Sequence, residues 1–147
     1  VKVQFCSGGS QIPGWENRDR DCDITQTLPY ADNSVDAVRI EHGAEHVTTH
    51  ECLRFFGEVH RILIPGGTFR LCVPVLDRLA RDHARDIILN HGHACAFSTQ
   101  LAMDFLYAAG FDKENIREVD RDEHDHHHKM IGTERDDLET ARIVAVK

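Results

Sequence analysis

The chain has 147 residues, with 41% hydrophobic and 29% charged residues and a formal net charge of −8. That size suits one domain over residues 1–147 that buries a core without staples. The composition excludes a disordered chain, and the diffuse negative charge disfavours a nucleic-acid partner, which would need a local basic patch. No apolar run is long enough to cross a bilayer, and no signal peptide opens the chain, so no membrane partner is expected. The five cysteines (Cys6, Cys22, Cys52, Cys72, Cys95) are odd in number, scattered and form no C-x-x-C pair. Reduced thiols and a cytoplasmic location are the expectation. The chain begins without Met, directly in an apolar segment, which leaves open whether a preceding piece of the natural protein is missing or processed away.

In chain order, Val1, Val3 and Phe5 alternate with polar residues and run into Ser7-Gly8-Gly9-Ser10, which reads as a strand closed by a glycine turn. Pro13-Gly14 predicts a second turn, and Trp15 to Asp19 a short strand. Pro29 and Ala31-Asp32-Asn33-Ser34 mark a loop before the buried strand Val35 to Ile40. Thr48 and Glu51 stand at capping-box spacing. Cys52, Phe55, Phe56, Val59, Ile62 and Leu63 then keep helical periodicity until Pro65-Gly66-Gly67 is expected to stop the helix.

Thr68 to Val73 reads as a strand. Leu76, Leu79, Ala80, His83, Ile87 and Ile88 fit one helix face, and Arg78, Arg81 and Arg85 alternate with Asp77, Asp82 and Asp86 as a solvated face rather than a phosphate-binding patch. Ser98 or Thr99 caps a last helix. Its Leu101, Ala102, Phe105, Leu106 and Ala109 are expected to point inward, with Gly110 at the C-terminal cap. Strands are predicted at Ile116 to Val119 and Ala141 to Val146, with a polar segment between them. Alternating strands and amphipathic helices define an α/β sandwich with a mostly parallel sheet.

Ligands in open α/β sheets bind beyond the carboxyl ends of the strands. Three segments fall there: Cys6-Ser7-Gly8-Gly9, where small residues admit a ligand close to the backbone; Asp19, whose carboxylate can accept two hydrogen bonds from a ribose diol; and Asp23-Ile24, which can meet an adenine amino group and ring face. In order and spacing the chain resembles the small class I methyltransferases grouped as methyltransferase type 11. The resemblance runs through Cys6-Ser7-Gly8, Gly14-Trp15-Glu16-Asn17-Arg18-Asp19, Asp23-Ile24 and Leu28 to Val38. It continues through Glu41-His42-Gly43-Ala44-Glu45-His46, Glu58 to Gly67 and Leu101 to Phe111.

The resemblance implies a three-layer Rossmann-like sandwich with a seven-stranded sheet whose last strand is antiparallel. It implies S-adenosylmethionine lying across the tips of the first, second and fourth strands. Cys6 and Gly8 would border the methionine part, Asp19 the ribose, and Asp23 with Ile24 the adenine. Glu41 and His42, at the end of the fourth strand, would face the amino-acid end and the methyl group. Two departures stand out. Cys6 replaces the family's first glycine, and only eight residues separate Cys6 from Trp15, too few for the usual first helix. The helix that usually precedes the first strand is absent too, leaving the cleft less covered, which suits a homodimer.

Methyl transfer is an in-line displacement, so the protein aligns the reactants and excludes water. A base is needed only when the acceptor must lose a proton. His42 and His46 are the candidate catalytic residues, with Glu41 and Tyr30 behind them. A compact domain suits a small-molecule acceptor. The rival reading is a non-catalytic methyltransferase-like interaction module, favoured by Cys6 and the reduced N-terminus.

His42-Gly43-Ala44-Glu45-His46 also spells H-x-x-E-H, a zinc-protease pattern that requires both histidines on one helix. The motif follows a β-branched strand and contains Gly43, so no metal is expected there. His124, His126, His127 and His128 form a histidine-rich tract read as a solvated loop.

Overall fold

A computed structural model describes residues 1–78, 92–120 and 140–147. Six strands form one sheet in the order β2-β1-β3-β4-β6-β5: β1 (Lys2–Phe5), β2 (Glu16–Asn17), β3 (Val35–Glu41), β4 (Leu63–Pro74), β5 (Ile116–Glu118) and β6 (Thr140–Val146). β1 pairs in parallel with β2 and β3, and β3 with β4. β6 runs antiparallel to both β4 and β5, so the last strand is the reversed one, as expected. Among the described residues the strands number six, not seven. Glu41 and His42 sit at the end of the third strand in chain order.

Among the described residues two α-helices, α1 (Thr49–Ile62) and α2 (Thr99–Ala108), pack beside the sheet. The Thr48 side chain accepts from Glu51 N, and the Glu51 carboxylate accepts from Thr48 N, completing the capping box that starts α1. Its buried Cys52, Phe55, Phe56, Val59 and Ile62 recur at helical spacing. Phe55 meets Phe5 edge-on at 5.5 Å between centroids, and Phe56 meets Phe69 at 5.5 Å. Each such ring contributes a few kcal/mol of burial, roughly 1.5–3, so this seam anchors the core.

α1 ends at Ile62, and the chain passes straight into β4. Pro65-Gly66-Gly67 lies within that strand as an irregularity in its pairing with β3, between Val35 and Ala37. Gly66 takes φ +79, which suits glycine, and its N–H donates to Lys147 O at 2.7 Å. The C-terminal residue thus closes the irregularity. Lys147 Nζ, held between Asn33 Oδ1 and Leu63 O at 2.8 Å each, closes it further.

Ser98, not Thr99, caps α2, accepting from Leu101 N at 3.1 Å. At its other end Gly110 N donates to Tyr107 O and Phe111 N to Leu106 O, a Schellman closure with Gly110 at φ +111. Ala102 and Leu106 are buried as expected, but Leu101 is 38% exposed. Leu101 lies in the first turn of α2, off the face that carries the buried Ala102 and Leu106. The predicted helix beyond Arg78, with Leu79, Ala80, Arg81, His83, Arg85, Ile87 and Ile88, and the histidine tract at 124–128 lie outside the described residues. Leu76 itself opens a short 3-10 helix, Leu76–Arg78. No described helix is long and apolar enough to cross a membrane.

Candidate functional site

Parallel pairing brings the carboxyl ends of β1, β2 and β3 to one edge, and the chain leaves β1 and β3 in the same unusual way. Cys6 has φ +52 and His42 has φ +50, both left-handed conformations that side-chain-bearing residues rarely adopt. Between them the backbones approach closely. A methyl group on Gly43 would stand 2.8 Å from the Cys6 side chain, so glycine is required there. Strain of this kind costs about 1–3 kcal/mol per residue and gathers at binding sites.

The two turns face each other across a cleft of about 190 Å³ lined by Gln4, Cys6, Ser7, Gly8, Gly9, Ser10, Glu41 and His42. That volume admits part of a ligand of ordinary size, about 300 Å³ or more. Gly8 has φ +50, and nothing stands within 4 Å of the side-chain position on Gly8 or Gly9, so a ligand can reach the main chain. The loop is braced from β2 by Ser7 N donating to Arg18 O at 3.0 Å, and Arg18 N donates back to Gln4 O at 2.8 Å.

Of the expected residues, Cys6, Gly8, Glu41 and His42 therefore meet in one cleft. Glu41 accepts from Arg39 Nη2 at 2.6 Å, and Arg39 Nη1 donates to Gln4 Oε1 at 3.1 Å. Gln4 Nε2 in turn donates to Ser10 O at 2.7 Å. This buried relay from β3 to the glycine loop was missed in the sequence, because Gln4 and Arg39 sit at polar positions of alternating strands that ordinarily read as solvent-facing. His42 Nε2 lies 2.9 Å from Thr140 Oγ1, and its backbone N–H donates to Cys72 O at 2.9 Å, which fixes the turn.

Burial raises the Cys6 thiol to about 11, with Asp19, Glu45 and Cys22 pushing it the same way. Cys6 is therefore a neutral wall of the cleft at neutral pH, not a thiolate nucleophile.

Asp19 follows β2, exposed, with its N–H donating to Asp21 Oδ1 at 2.8 Å. Asp23 Oδ1 accepts from Thr25 N at 2.9 Å and from Thr25 Oγ1 at 2.8 Å, a turn that holds its own carboxylate pK below the usual range. Ile24 is 6% exposed and packs into the core, so little of it faces the edge. His46 lies outside the cleft lining; its half-exposed ring meets His93 edge-on at 4.8 Å. The H-x-x-E-H residues do not share a helix. His42 lies in the left-handed turn before Gly43, and Ala44–His46 forms a single 3-10 turn.

Residues 11–71 match the model of the methyltransferase domain family. Known structures share the fold. PigF with SAH superposes with a TM-score of 0.70 at 15% identity, over 99% of this chain and 50% of that one. A SAM-dependent methyltransferase from Archaeoglobus fulgidus gives a TM-score of 0.70 at 10% identity, over 99% of this chain and 85% of that one. The CurJ carbon methyltransferase gives 0.62 at 12% identity, over 99% and 47%. This chain thus spans about half the length of PigF and of CurJ. No curated protein sequence matches it. Residues 11–71 are thus similar to the methyltransferase domain family, and the whole chain has the Rossmann-like α/β fold of these structures.

Proposed function

We propose that the chain is a S-adenosylmethionine-dependent methyltransferase acting on a small-molecule acceptor. The observation that carries this reading is the paired left-handed turns at Cys6 and His42, which open a polar cleft at the carboxyl ends of β1 and β3 beside Asp19 after β2.

The residues fit the cofactor's parts. The bare main chain at Gly8 and Gly9 admits close approach, and the Glu41 carboxylate at the cleft wall suits the ammonium of an amino-acid end. Asp19 is the carboxylate for a ribose diol. Asp23 and Ile24 are assigned to the adenine, with Asp23 offering its second oxygen and Ile24 only its rim. S-adenosylmethionine, when bound, supplies an activated methyl group on a good leaving group. The protein's own part is to orient it and to keep water from the line of attack.

For an acceptor that must lose a proton, His42 is the base that lies in the cleft, its Nε2 within hydrogen-bond reach of Thr140 Oγ1. His46 does not line the cleft and would act only from outside it. Five free thiols suit a reducing compartment, in keeping with a cytoplasmic enzyme. A second reading, a non-catalytic module on the same fold, draws on Cys6 standing where the family has glycine and on the two-residue β2.

Calorimetric titration with S-adenosylmethionine and S-adenosylhomocysteine separates the two. Micromolar binding that disappears in Asp19→Ala, with stability changed by about 0.5 kcal/mol or less, supports the enzyme reading. No heat from a folded sample with either ligand overturns it in favour of the module.

A further inference from the structure

Behind the cleft, at the start of the connection from β3 to α1, a carboxylate is buried without compensation. The Glu45 side chain is 1% exposed, and neither of its oxygens has a hydrogen-bond partner among the described residues. An ionised carboxylate in that condition costs several kcal/mol. Its nearest cation-forming neighbours are imidazoles: His42 Nδ1 at 3.4 Å and His46 Nε2 at 4.0 Å from Oε1. A histidine neutralises it only when protonated, whereas a metal ion would satisfy it with both imidazoles neutral.

A third imidazole completes the group. Glu45 O accepts from Ala94 N at 2.8 Å and from Cys95 N at 3.0 Å, so the main chain of Glu45 itself docks the segment that carries His93. That segment is held further along by Leu76 N donating to Phe97 O at 2.8 Å. One ligand atom each from Glu45, His46 and His93 then lie within 4.8 Å of one another.

We propose that Glu45, His46 and His93 bind a divalent first-row transition ion, zinc by the nature of the ligands. Two imidazoles and one carboxylate form a familiar zinc donor set, with bonds of about 2.0–2.2 Å and a fourth position for water. Such ligands stand roughly 3.4 Å apart around a tetrahedral ion. The half-exposed His46 and partly exposed His93 would reach the ion from the solvent side and the buried Glu45 from within. His42 is not a member of the set. Its Nδ1 faces the bound carboxylate while the same residue lines the cleft, so it links the ion to the cleft wall as an outer partner. The ion ties the turn after β3 to the segment before α2, and the site stands independently of the methyl-transfer reading.

The histidine tract is a competing sink for metal, so the test begins from full-length protein carrying H124N, H126N, H127N and H128N. Zinc titration by calorimetry and the visible spectrum of the cobalt(II) form are read on this protein and on His93→Ala and His46→Ala versions of it. The expected result is one ion per chain, a four-coordinate cobalt spectrum and a raised melting temperature with zinc. Each single variant should weaken zinc by more than the ~10–100-fold that loss of an outer-shell partner costs. His93→Ala should keep the metal-free melting temperature, since that ring is partly exposed. Zinc binding that vanishes with the tract, or that neither alanine variant weakens, overturns the proposal.

Discussion

The two faces of the sheet are built on different physics. On one, Val3, Phe5, Val38, Ile40, Phe69, Leu71, Ala141 and Ile143 make an apolar surface continuous with α1 and α2. On the other, the alternate residues of the same strands include Gln4, Arg39, Arg70 and Arg142, which are 2%, 0%, 1% and 8% exposed. Register sets Gln4 opposite Arg39, and Arg39 opposite Arg70. The apolar face supplies stability through shape and area. The polar face depends on each charge being matched, and its outer edge is the wall of the cleft: Arg39 is held by Glu41 and Gln4, both cleft residues. Stability is thus assigned to one face and ligand geometry to the other.

The largest effect expected from this contrast is on the apolar side. Phe55→Ala deletes a fully buried ring that contacts Phe5, Phe56 and Phe69. It should destabilise the domain by about 3–5 kcal/mol in urea denaturation. A loss below 1 kcal/mol would mean that the helical seam is not the anchor of the core.

On the polar side, Arg39→Ala removes the buried guanidinium that donates to Glu41 and Gln4 and should cost about 3 kcal/mol. The double variant Arg39→Met with Glu41→Met should recover most of that, because a buried pair replaced by apolar groups of similar volume is close to neutral. If the double variant is no more stable than Arg39→Ala, the pair is holding the face together by more than mutual neutralisation.

Cys6→Gly removes the penalty of a left-handed conformation at the price of a small contact with Gly43. A net gain of up to about 1 kcal/mol is expected in thermal denaturation. A loss would show that the thiol contact outweighs the strain.

The smallest effect is electrostatic and belongs to the apolar face. Burial lowers the His60 pK, with Lys147 acting the same way and Asp112 opposing, and the ring sits edge-on to Phe111 at 5.0 Å. The unfolded chain then takes up a proton that the folded one resists. The contribution of His60 is fully present above its ordinary value of 6.5 and declines as pH falls below it. His60→Gln should flatten that acid limb of the stability curve by less than about 1 kcal/mol. An unchanged slope would assign it to other groups.

Much of the layout could be read from the chain alone, because local signals act over a few residues. The capping box at Thr48 and Glu51, the 3.6-residue stripe of α1, the glycine closure of α2 and the strands β1, β3 and β6 are all short-range features, and each stands where it was expected. Turn chemistry likewise placed Cys6 and Gly8 at a strand end, and the family resemblance placed Glu41 and His42 at another. What the chain alone did not show involved packing between distant segments. α1 does end just before Pro65-Gly66-Gly67, as read, but that segment also forms an irregularity inside β4, where Gly66 N donates to Lys147 O and Lys147 N to Gly67 O, eighty residues or more apart in sequence.

The chain by itself determined the α/β order, the helix boundaries set by caps, and which residues reach the carboxyl edge of the sheet. Only the tertiary structure decided which of those residues share a cleft. It turned His42 inward and left His46 beside His93, sank Ile24 into the core, and joined Gln4, Arg39 and Glu41 into one relay. The physical reason is that periodicity and caps are properties of neighbours in sequence. Burial of a charge and the partner that matches it are properties of strands that meet only when the sheet is assembled.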